Sequence, residues 1–194
     1  MAVPRPSRTG RWVVAALALV AALVLPPTAA AQPLRFRIQP EASEITFRAT
    51  SRLMNADGRF ARFSGDVLVD PTALTSARIS LTIDAASLDT GIEMRDNHLR
   101  SSDFFEVERF PTVTFQSVRV EAAGRRATVV GRLTLHGVTR EITVPIDVQI
   151  STTALVASGE FIVNRGEYAI NYNSFVNPIG NEIRVTFTFR ARVP

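Results

Sequence analysis

Few residues in this chain have the type and spacing that catalysis or metal binding requires. Its 194 residues include two histidines, His98 and His136, and no cysteine. The histidines do not have a metal-ligand spacing such as H-x-x-x-H, and the G-x-S-x-G, G-x-x-x-x-G-K and H-E-x-x-H motifs are missing. The absence of cysteine excludes disulfides, thiolate metal sites and thiol nucleophiles. We therefore predict no cofactor and no metal. For each histidine, we favour a structural role over a polar contact to a ligand, and we favour a ligand contact over catalysis.

The segment Met94–Pro111, MRDNHLRSSDFFEVERFP, concentrates the residues best suited to contact a ligand. It interrupts strand-like sequence and lacks period-two alternation, which predicts a short helix followed by a turn. The whole connection, 84–111, is long for a compact domain, and such connections usually carry their own structure or a function. We therefore expect this segment to close one end of a β structure as a lid.

The charged and aromatic residues of this segment have two interpretations each. The charged residues form ion pairs that hold the loop, or Arg95 or Arg100 faces an anionic head group, because a guanidinium matches phosphate geometry. The phenylalanines are core residues under a loop, or they line the mouth of a hollow barrel. The residues concerned are Asp96, Asp103, Glu106, Glu108, Arg95, Arg100, Arg109, Phe104, Phe105 and Phe110.

The first 31 residues have the features of a secretory signal peptide. Three arginines precede an unbroken apolar run, Trp12–Leu25, and Ala29–Ala31 supply an A-x-A cleavage signal. The run is shorter than the roughly 20 residues of a comfortable membrane span. We predict cleavage near Ala31, a single mature domain of residues 32–194, no stable membrane span and a periplasmic or secreted location. An uncleaved N-terminal anchor is the alternative.

The charge balance of the predicted mature domain is close to neutral. The chain has 22 basic and 18 acidic residues, and three of the arginines lie in the leader, which leaves a net charge of +1. A charge this small gives no reason to expect nucleic-acid binding.

The mature sequence consists almost entirely of segments that alternate apolar and polar residues, with a break at 51–58. Such half-buried strands pair antiparallel, and about eight or nine of them predict an all-β barrel or sandwich. A barrel of about eight strands encloses side chains or one small ligand. The segments are Leu34–Ile38, Glu44–Thr50, Arg59–Asp70, Ala77–Ile83, Thr112–Val120, Arg126–Leu135, Glu141–Ile150, Leu155–Val163 and Glu182–Val193.

Three positions disturb this alternation. Phe60 and Phe63 are three residues apart, which predicts a bulge near Ala61 and Arg62. Val113 and Phe115 are out of phase with Val118 and Val120 in the same segment. Pro145 lies within a perfectly alternating run, so we expect it at a strand edge or at a bulge.

Five motifs, in this order, resemble those of the YceI-like family, and the resemblance extends from about Leu34 to Val193. One departure is Tyr168-Ala169, where the family often has Phe-Gly. The motifs are Arg95-Asp96-x-His98-Leu99-Arg100-Ser101-x-Asp103-Phe104-Phe105, Phe110-Pro111-x-x-x-Phe115, Gly131-x-Leu133-Thr134-Leu135-His136-Gly137-Val138-Thr139, Phe161-x-x-x-Arg165 and Gly180-x-x-Ile183.

The resemblance implies an extended, lipocalin-like antiparallel barrel with a long apolar cavity. It implies a periplasmic or secreted protein whose ligand is an isoprenoid lipid of the polyprenyl phosphate or quinone type. No catalytic residue is carried over. We predict that Arg95 and His98 meet the polar end of the ligand and that Leu99, Phe104 and Phe105 contact it at the lid, with Met94 as a further contact. The predicted wall residues are Phe47, Phe60, Phe63, Phe115, Phe187 and Phe189.

Three hypotheses about function follow. The first is a non-enzymatic carrier or scavenger of an isoprenoid lipid, which gains affinity by burying the apolar tail. The second is an enzyme that acts on a small hydrophobic substrate and uses His98 or His136 as acid or base. The third is a packed barrel whose outer surface docks another envelope protein. A homodimer is left open by the sequence.

Overall fold

Strands with alternating apolar residues pair into an antiparallel sheet, and the sheet closes into a barrel with its apolar face inside. The computed structural model of the protein describes residues 32–194, so the predicted signal peptide lies outside the described part. Short 3-10 helices occupy Pro40–Ala42, Ala85–Ser87 and Arg165–Tyr168. The strands and the α-helix are β1 (Leu34–Ile38), β2 (Glu44–Ser51), β3 (Ala56–Phe60), β4 (Phe63–Asp70), β5 (Ala73–Asp84), β6 (Leu88–Asp89), α1 (Glu93–Arg100), β7 (Thr112–Ala123), β8 (Arg126–Leu135), β9 (Val138–Ile150), β10 (Ala154–Asn164) and β11 (Ile179–Arg192).

Eight of these strands form a closed antiparallel barrel. They follow the order β1-β4-β5-β7-β8-β9-β10-β11, and β11 pairs back onto β1 through Ile38 opposite Ala191. The other strands extend the sheet, because β2 pairs with the first part of β11 and carries β3 and then β6. This arrangement confirms the predicted all-β barrel of about eight strands, with one short helix in the connection 84–111.

The two longest connections, β5–β7 and β10–β11, leave the barrel at the same end. The short β2–β3 segment also lies at this end, which we call the loop end. The short turns after β4, β7 and β9 lie at the opposite end, which we call the turn end. The loop end is therefore where side chains from several connections can meet.

The predicted single strand Arg59–Asp70 is wrong, because the structure contains two strands that separate at Ala61 and Arg62. The Ala61 N–H donates to Ser87 O at 3.1 Å, and the Arg62 N–H donates to Ser87 Oγ at 3.0 Å, so these amides leave the sheet. As a result, β3 pairs with β2 and β6, whereas β4 pairs with β1 and β5. The predicted break at 51–58 is also too long, since β3 begins at Ala56.

Two other irregularities have the expected structural causes. The register of β7 against β8 shifts between Ser117 and Arg119, which reverses the phase of the apolar residues along β7. Pro145 lies one residue beyond the last β9–β10 pair, Ile146 opposite Gly159, so β9 is a free edge on that side at the proline.

The described helices are short. Within residues 32–194, none has the length and hydropathy that a transmembrane segment requires.

Candidate functional site

A large apolar cavity opens at the loop end of the barrel, with a volume of about 540 Å³. Its wall is built by the inward-facing residues of β2, β3, β8, β10 and β11, because alternate residues of a strand share one face. Representative wall residues are Ile45, Phe47, Phe60, Leu133, Phe161 and Val185. The cavity therefore offers an apolar interior that reaches the molecular surface.

The mouth of this cavity has an apolar rim. Leu53, Met54 and Ile92 line the cavity and are also exposed at the surface. The neighbouring loop carries Phe175, whose side chain is 100% exposed. The two loops are joined because the Leu53 N–H donates to Asn177 Oδ1 at 3.0 Å. The rim of the cavity therefore presents apolar side chains to solvent.

Helix α1 closes one side of the mouth and is fixed by the turn that precedes it. The buried carboxylate of Asp96 accepts hydrogen bonds from the N–H and the hydroxyl of Thr90. Arg95 donates from Nε to Thr90 Oγ1 at 2.8 Å and from Nη2 to Thr90 O at 3.0 Å. These contacts hold Arg95 at the cavity, and its Nη1 makes no hydrogen bond to the described residues.

The second arginine considered for a head group, Arg100, has a different role. Its guanidinium donates to Ala86 O at 2.9 Å and Leu88 O at 2.6 Å, and to Asn97 Oδ1 at 3.2 Å. It therefore joins α1 to the preceding 3-10 helix and strand and does not line the large cavity. Of the two arginines, Arg95 is the one at this cavity, and whether either faces an anionic head group stays a prediction.

His98 occupies the cavity side of α1 within an aromatic cluster. Its Nε2 lies 2.9 Å from Asp103 Oδ2, so the carboxylate orients the ring. The imidazole makes edge contacts with Phe104 and Tyr172, with ring centroids 5.1 Å and 5.0 Å apart. His98 thus combines a fixed position with a polar face that a ligand at the mouth can reach.

Arg165 is a buried cation that the sequence reasoning did not select as a site residue. It is only 8% exposed and lines the cavity. Its donors reach the carbonyls of Ile170 and Tyr172 at 2.9 Å, Ile179 at 3.1 Å and Gly180 at 3.2 Å. Arg165 therefore ties the irregular segment before β11 to the end of β10.

The charge of Arg165 is not neutralised by a nearby carboxylate. No ion pair among residues 32–194 includes it. Burial lowers the pKa of Arg165, yet a guanidinium remains protonated in proteins. One signal for this residue was present in the sequence. The segment Asn164–Asn181 has no strand pattern, so its buried carbonyls need donors from a side chain.

The structure brings most of the predicted site residues to a cavity. Seven line the large cavity: Phe47, Phe60, Arg95, His98, Leu99, Phe104 and Phe105. Three line a second, smaller cavity of about 120 Å³ deeper in the barrel: Phe115, Phe187 and Phe189. Whether these ten side chains contact a ligand stays a prediction.

Two of the predicted residues line neither cavity. Phe63 is buried in the wall and packs its ring against Phe189, with centroids 5.9 Å apart. Met94 is 84% exposed and does not line the cavity, whereas Arg95, His98 and Leu99 do, and its contact with a ligand stays a prediction.

His136 lies in the supporting structure and lines neither cavity. Its Nδ1 is 3.1 Å from Tyr168 O, so the proton on Nδ1 is donated to that carbonyl. Its ring makes an edge contact with Phe110 at 4.7 Å, and its Nε2 lies 3.5 Å from Glu106 Oε2. These contacts support the structural interpretation of this histidine. No cluster of metal-ligating side chains occurs in residues 32–194.

Solved structures with this fold come from several bacteria. BcnA of Burkholderia cenocepacia superposes with a TM-score of 0.72 at 24% identity, over 79% of this chain and 98% of that one. A polyisoprenoid-binding domain from Saccharophagus degradans, implicated in plant cell wall breakdown, gives 0.67 at 22% identity over 83% and 99%. The YceI protein of Campylobacter jejuni gives 0.66 at 22% identity over 73% and 86%. At such identities the likeness concerns the fold.

Curated relatives match over a shorter stretch. A UPF0312 protein of Pseudomonas aeruginosa is 42% identical over 87 residues, which are 45% of this chain and 46% of that protein. A UPF0312 protein of Vibrio vulnificus is 42% identical over 88 residues, 45% of this chain and 47% of its own. The chain thus spans about half the length of these relatives in the match. The family model described as a YceI-like domain matches residues 36–191, so the chain belongs to the YceI-like family.

Proposed function

We propose that this protein is an exported binding protein that carries or sequesters an isoprenoid lipid, of the polyprenyl phosphate or isoprenoid quinone type. The observation that carries this proposal is the apolar cavity of about 540 Å³. An apolar protein cavity of about 150 Å³ accommodates benzene, so by proportion this one has room for about twenty carbons. A tail of isoprene units fits this space and this chemistry.

The apolar wall supplies the driving force for binding such a tail. Each buried methylene contributes about 0.8 kcal/mol, so about twenty carbons supply about 16 kcal/mol before costs. Association and ordering of the ligand consume about 4–15 kcal/mol of this amount. The remaining free energy supports binding without any covalent or metal contact, and the proposal assigns no catalysis to the protein.

The polar groups at the mouth fit a head group that stays near the surface. Arg95 keeps Nη1 for a ligand, and His98 and Tyr172 offer a ring nitrogen and an aromatic edge. Arg165 adds a positive charge behind them. An anionic phosphate or a quinone carbonyl would accept hydrogen bonds from these donors.

Two further observations support this assignment. The polyisoprenoid-binding domain from Saccharophagus degradans has the same fold. The leader sequence predicts export, with cleavage near Ala31 and a final location in the periplasm or outside the cell.

Native mass spectrometry tests the proposal directly. We would purify residues 32–194 from the envelope of the source organism and extract the bound material with organic solvent. We expect one isoprenoid lipid per protein. A ligand-free mass that does not change after incubation with polyprenyl phosphates and isoprenoid quinones would refute the proposal.

An enzyme that acts on a small hydrophobic substrate is the second candidate, because His98 and Asp103 form a hydrogen-bonded pair at the cavity. Such a pair is typical of general acid–base catalysis. The candidate predicts that His98→Ala abolishes conversion of a bound lipid but leaves its binding intact. Recovery of chemically unchanged lipid after prolonged incubation with the native protein would argue against it. His136 is less suited, since it does not reach the cavity.

The third hypothesis has a packed barrel as its premise, and it predicts no lipid in the purified protein and an exposed apolar patch that docks an envelope protein. The volume of the large cavity is inconsistent with that premise.

A further inference from the structure

The two cavities meet at one layer of inward-facing side chains. The β10–β11 register orders these residues along the barrel axis: Phe161 lies opposite Val185, and Gly159 and Phe187 form the next pair toward the turn end. Residues on the loop-end side of this layer line only the large cavity, and those on the turn-end side line only the small one. Five residues line both: Ile45, Ile83, Leu133, Phe161 and Val185.

Phe161 is the largest side chain of this layer and, like Val185, is only partly buried. Ile45, Ile83 and Leu133 are buried, so neighbouring side chains hold them in the wall. Phe161 retains exposed surface, which faces the cavities. Its ring meets Phe187 with centroids 6.3 Å apart, and Phe187 fills the space above Gly159. The phenyl ring therefore lies between the large cavity and the small one.

We infer that Phe161 forms the floor of the ligand chamber and limits the bound tail to about four isoprene units. The inference rests on the proposed function and gives that ligand a length. The large cavity has room for about twenty carbons, and the small cavity of about 120 Å³ has room for about one further isoprene unit. While the ring is in place, additional units of a longer tail remain outside and add no buried area.

A series of prenyl monophosphates of increasing length tests this limit. Their dissociation constants for residues 32–194 are measured by fluorescence competition with geranyl, farnesyl, geranylgeranyl, geranylfarnesyl and octaprenyl monophosphate. For the native protein, we expect the affinity to rise about tenfold or more with each unit up to geranylgeranyl and then to level off. In Phe161→Ala, the rise continues to geranylfarnesyl monophosphate.

Two variants make the result specific to the floor. Ile162→Ala changes the adjacent residue of β10, which is 46% exposed and faces outward, so the native length profile is expected. Ala157→Leu fills the small cavity that Ala157 lines. In the double variant Phe161→Ala/Ala157→Leu, we expect the affinity to stop rising again at geranylgeranyl monophosphate, because the small cavity is filled. If Phe161→Ala does not fold, Phe161→Leu removes the ring with a smaller loss of volume.

The outcomes separate this inference from the function on which it rests. A native affinity that keeps rising to octaprenyl monophosphate would overturn the length limit but leave lipid binding intact. An unchanged limit in folded Phe161→Ala and Phe161→Leu would remove Phe161 from the role. Failure of the native protein to bind any prenyl monophosphate or any isoprenoid quinone would overturn both the proposed function and the inference.

Discussion

The two halves of the barrel use the same alternating strands but fill their interiors differently. In the turn-end half, phenylalanine rings pack against one another inside the barrel. Phe187 and Phe189 stack at 4.9 Å in this half, and Phe63, at the start of β4, meets Phe189 at 5.9 Å; the remaining cavity has about 120 Å³. In the loop-end half, the aromatic residues line the wall and the lid, and Phe60 of β3 meets Phe105 of the lid at 5.9 Å. The cavity between wall and lid is larger, at about 540 Å³.

Glycines show how tightly the turn-end half interdigitates. A Cβ added to Gly131 would lie 2.3 Å from the Phe115 ring, and one added to Gly159 would lie 2.9 Å from the Phe187 ring. Each of these rings occupies the space that a cross-strand side chain would need. The large cavity thus lies where aromatic rings line the wall and the lid, and the small one lies where the rings stack across the interior.

We expect the largest loss of stability when a ring that packs against Phe189, in the turn-end half, is removed. Phe63→Ala deletes a buried ring, and we expect a loss of about 3–5 kcal/mol in the free energy of unfolding. Urea denaturation measures this loss. Lipid binding by the folded fraction should stay near the native value, because Phe63 lines neither cavity. A loss below about 1 kcal/mol would show that this half is loosely packed.

A second prediction concerns the clamp at the loop end. Arg165→Gln removes the donors of several carbonyls in the segment before β11, and we expect a loss of about 2–4 kcal/mol together with faster amide exchange in that segment. Arg140→Gln is the matched control, since Arg140 is exposed and makes one long hydrogen bond, to Glu167 O at 3.3 Å. Equal effects of the two substitutions would contradict the clamp.

Phe60→Ala tests the loop-end half, where Phe60 lines the large cavity. Phe60 is only partly buried and lines the large cavity, so we expect a loss of stability below about 1.5 kcal/mol. Binding of geranylgeranyl monophosphate should weaken about tenfold, because the ligand loses an aromatic wall contact. Isothermal titration alongside Phe63→Ala checks both halves. Unchanged binding in Phe60→Ala would remove this residue from the site.

The smallest expected effect is a pH dependence at the turn that leads into α1. A hydrogen bond from the Gly91 N–H, and then Arg59, lower the pKa of Asp89 below its ordinary value of 3.8. A carboxylate with a lowered pKa in the folded state stabilises the protein above the unfolded pKa, and this contribution is lost as the pH falls through the folded pKa. Melting temperatures between about pH 5 and about pH 2 should therefore fall less in Asp89→Asn than in the native protein.

The sequence was sufficient to predict the fold class and the position of the lid. Strand alternation has a fixed period of two, so the inward faces of residues such as Phe47 and Phe187 follow directly from local pattern. The filling of the interior does not, because Phe63 packs on Phe189 and Phe115 packs over Gly131, partners that only the closed sheet brings together. The sequence therefore predicts that a residue faces inward. It does not predict whether that residue packs against another ring or lines a cavity.

Two details of the site could not be read from local spacing. Met94 precedes His98 by four residues, which places both near one face of a helix, yet Met94 is exposed. The hydrogen bonds of Arg100 could not be predicted either. Its partners are backbone carbonyls of Ala86 and Leu88, and these have no signature in the side-chain sequence.

The pairing of β1 with β11 has a consequence for the order in which the molecule is made. The first strand of the described chain finds its closing partner only in the last, Ile38 beside Ala191. Contacts so distant in sequence are slow to form, since the intervening loop must be ordered first. Until β11 is available, the early strands have an unpaired edge, and such an edge can pair with another chain and cause aggregation. The barrel is thus closed only once β11 has joined, and a chain that lacks β11 has an open sheet.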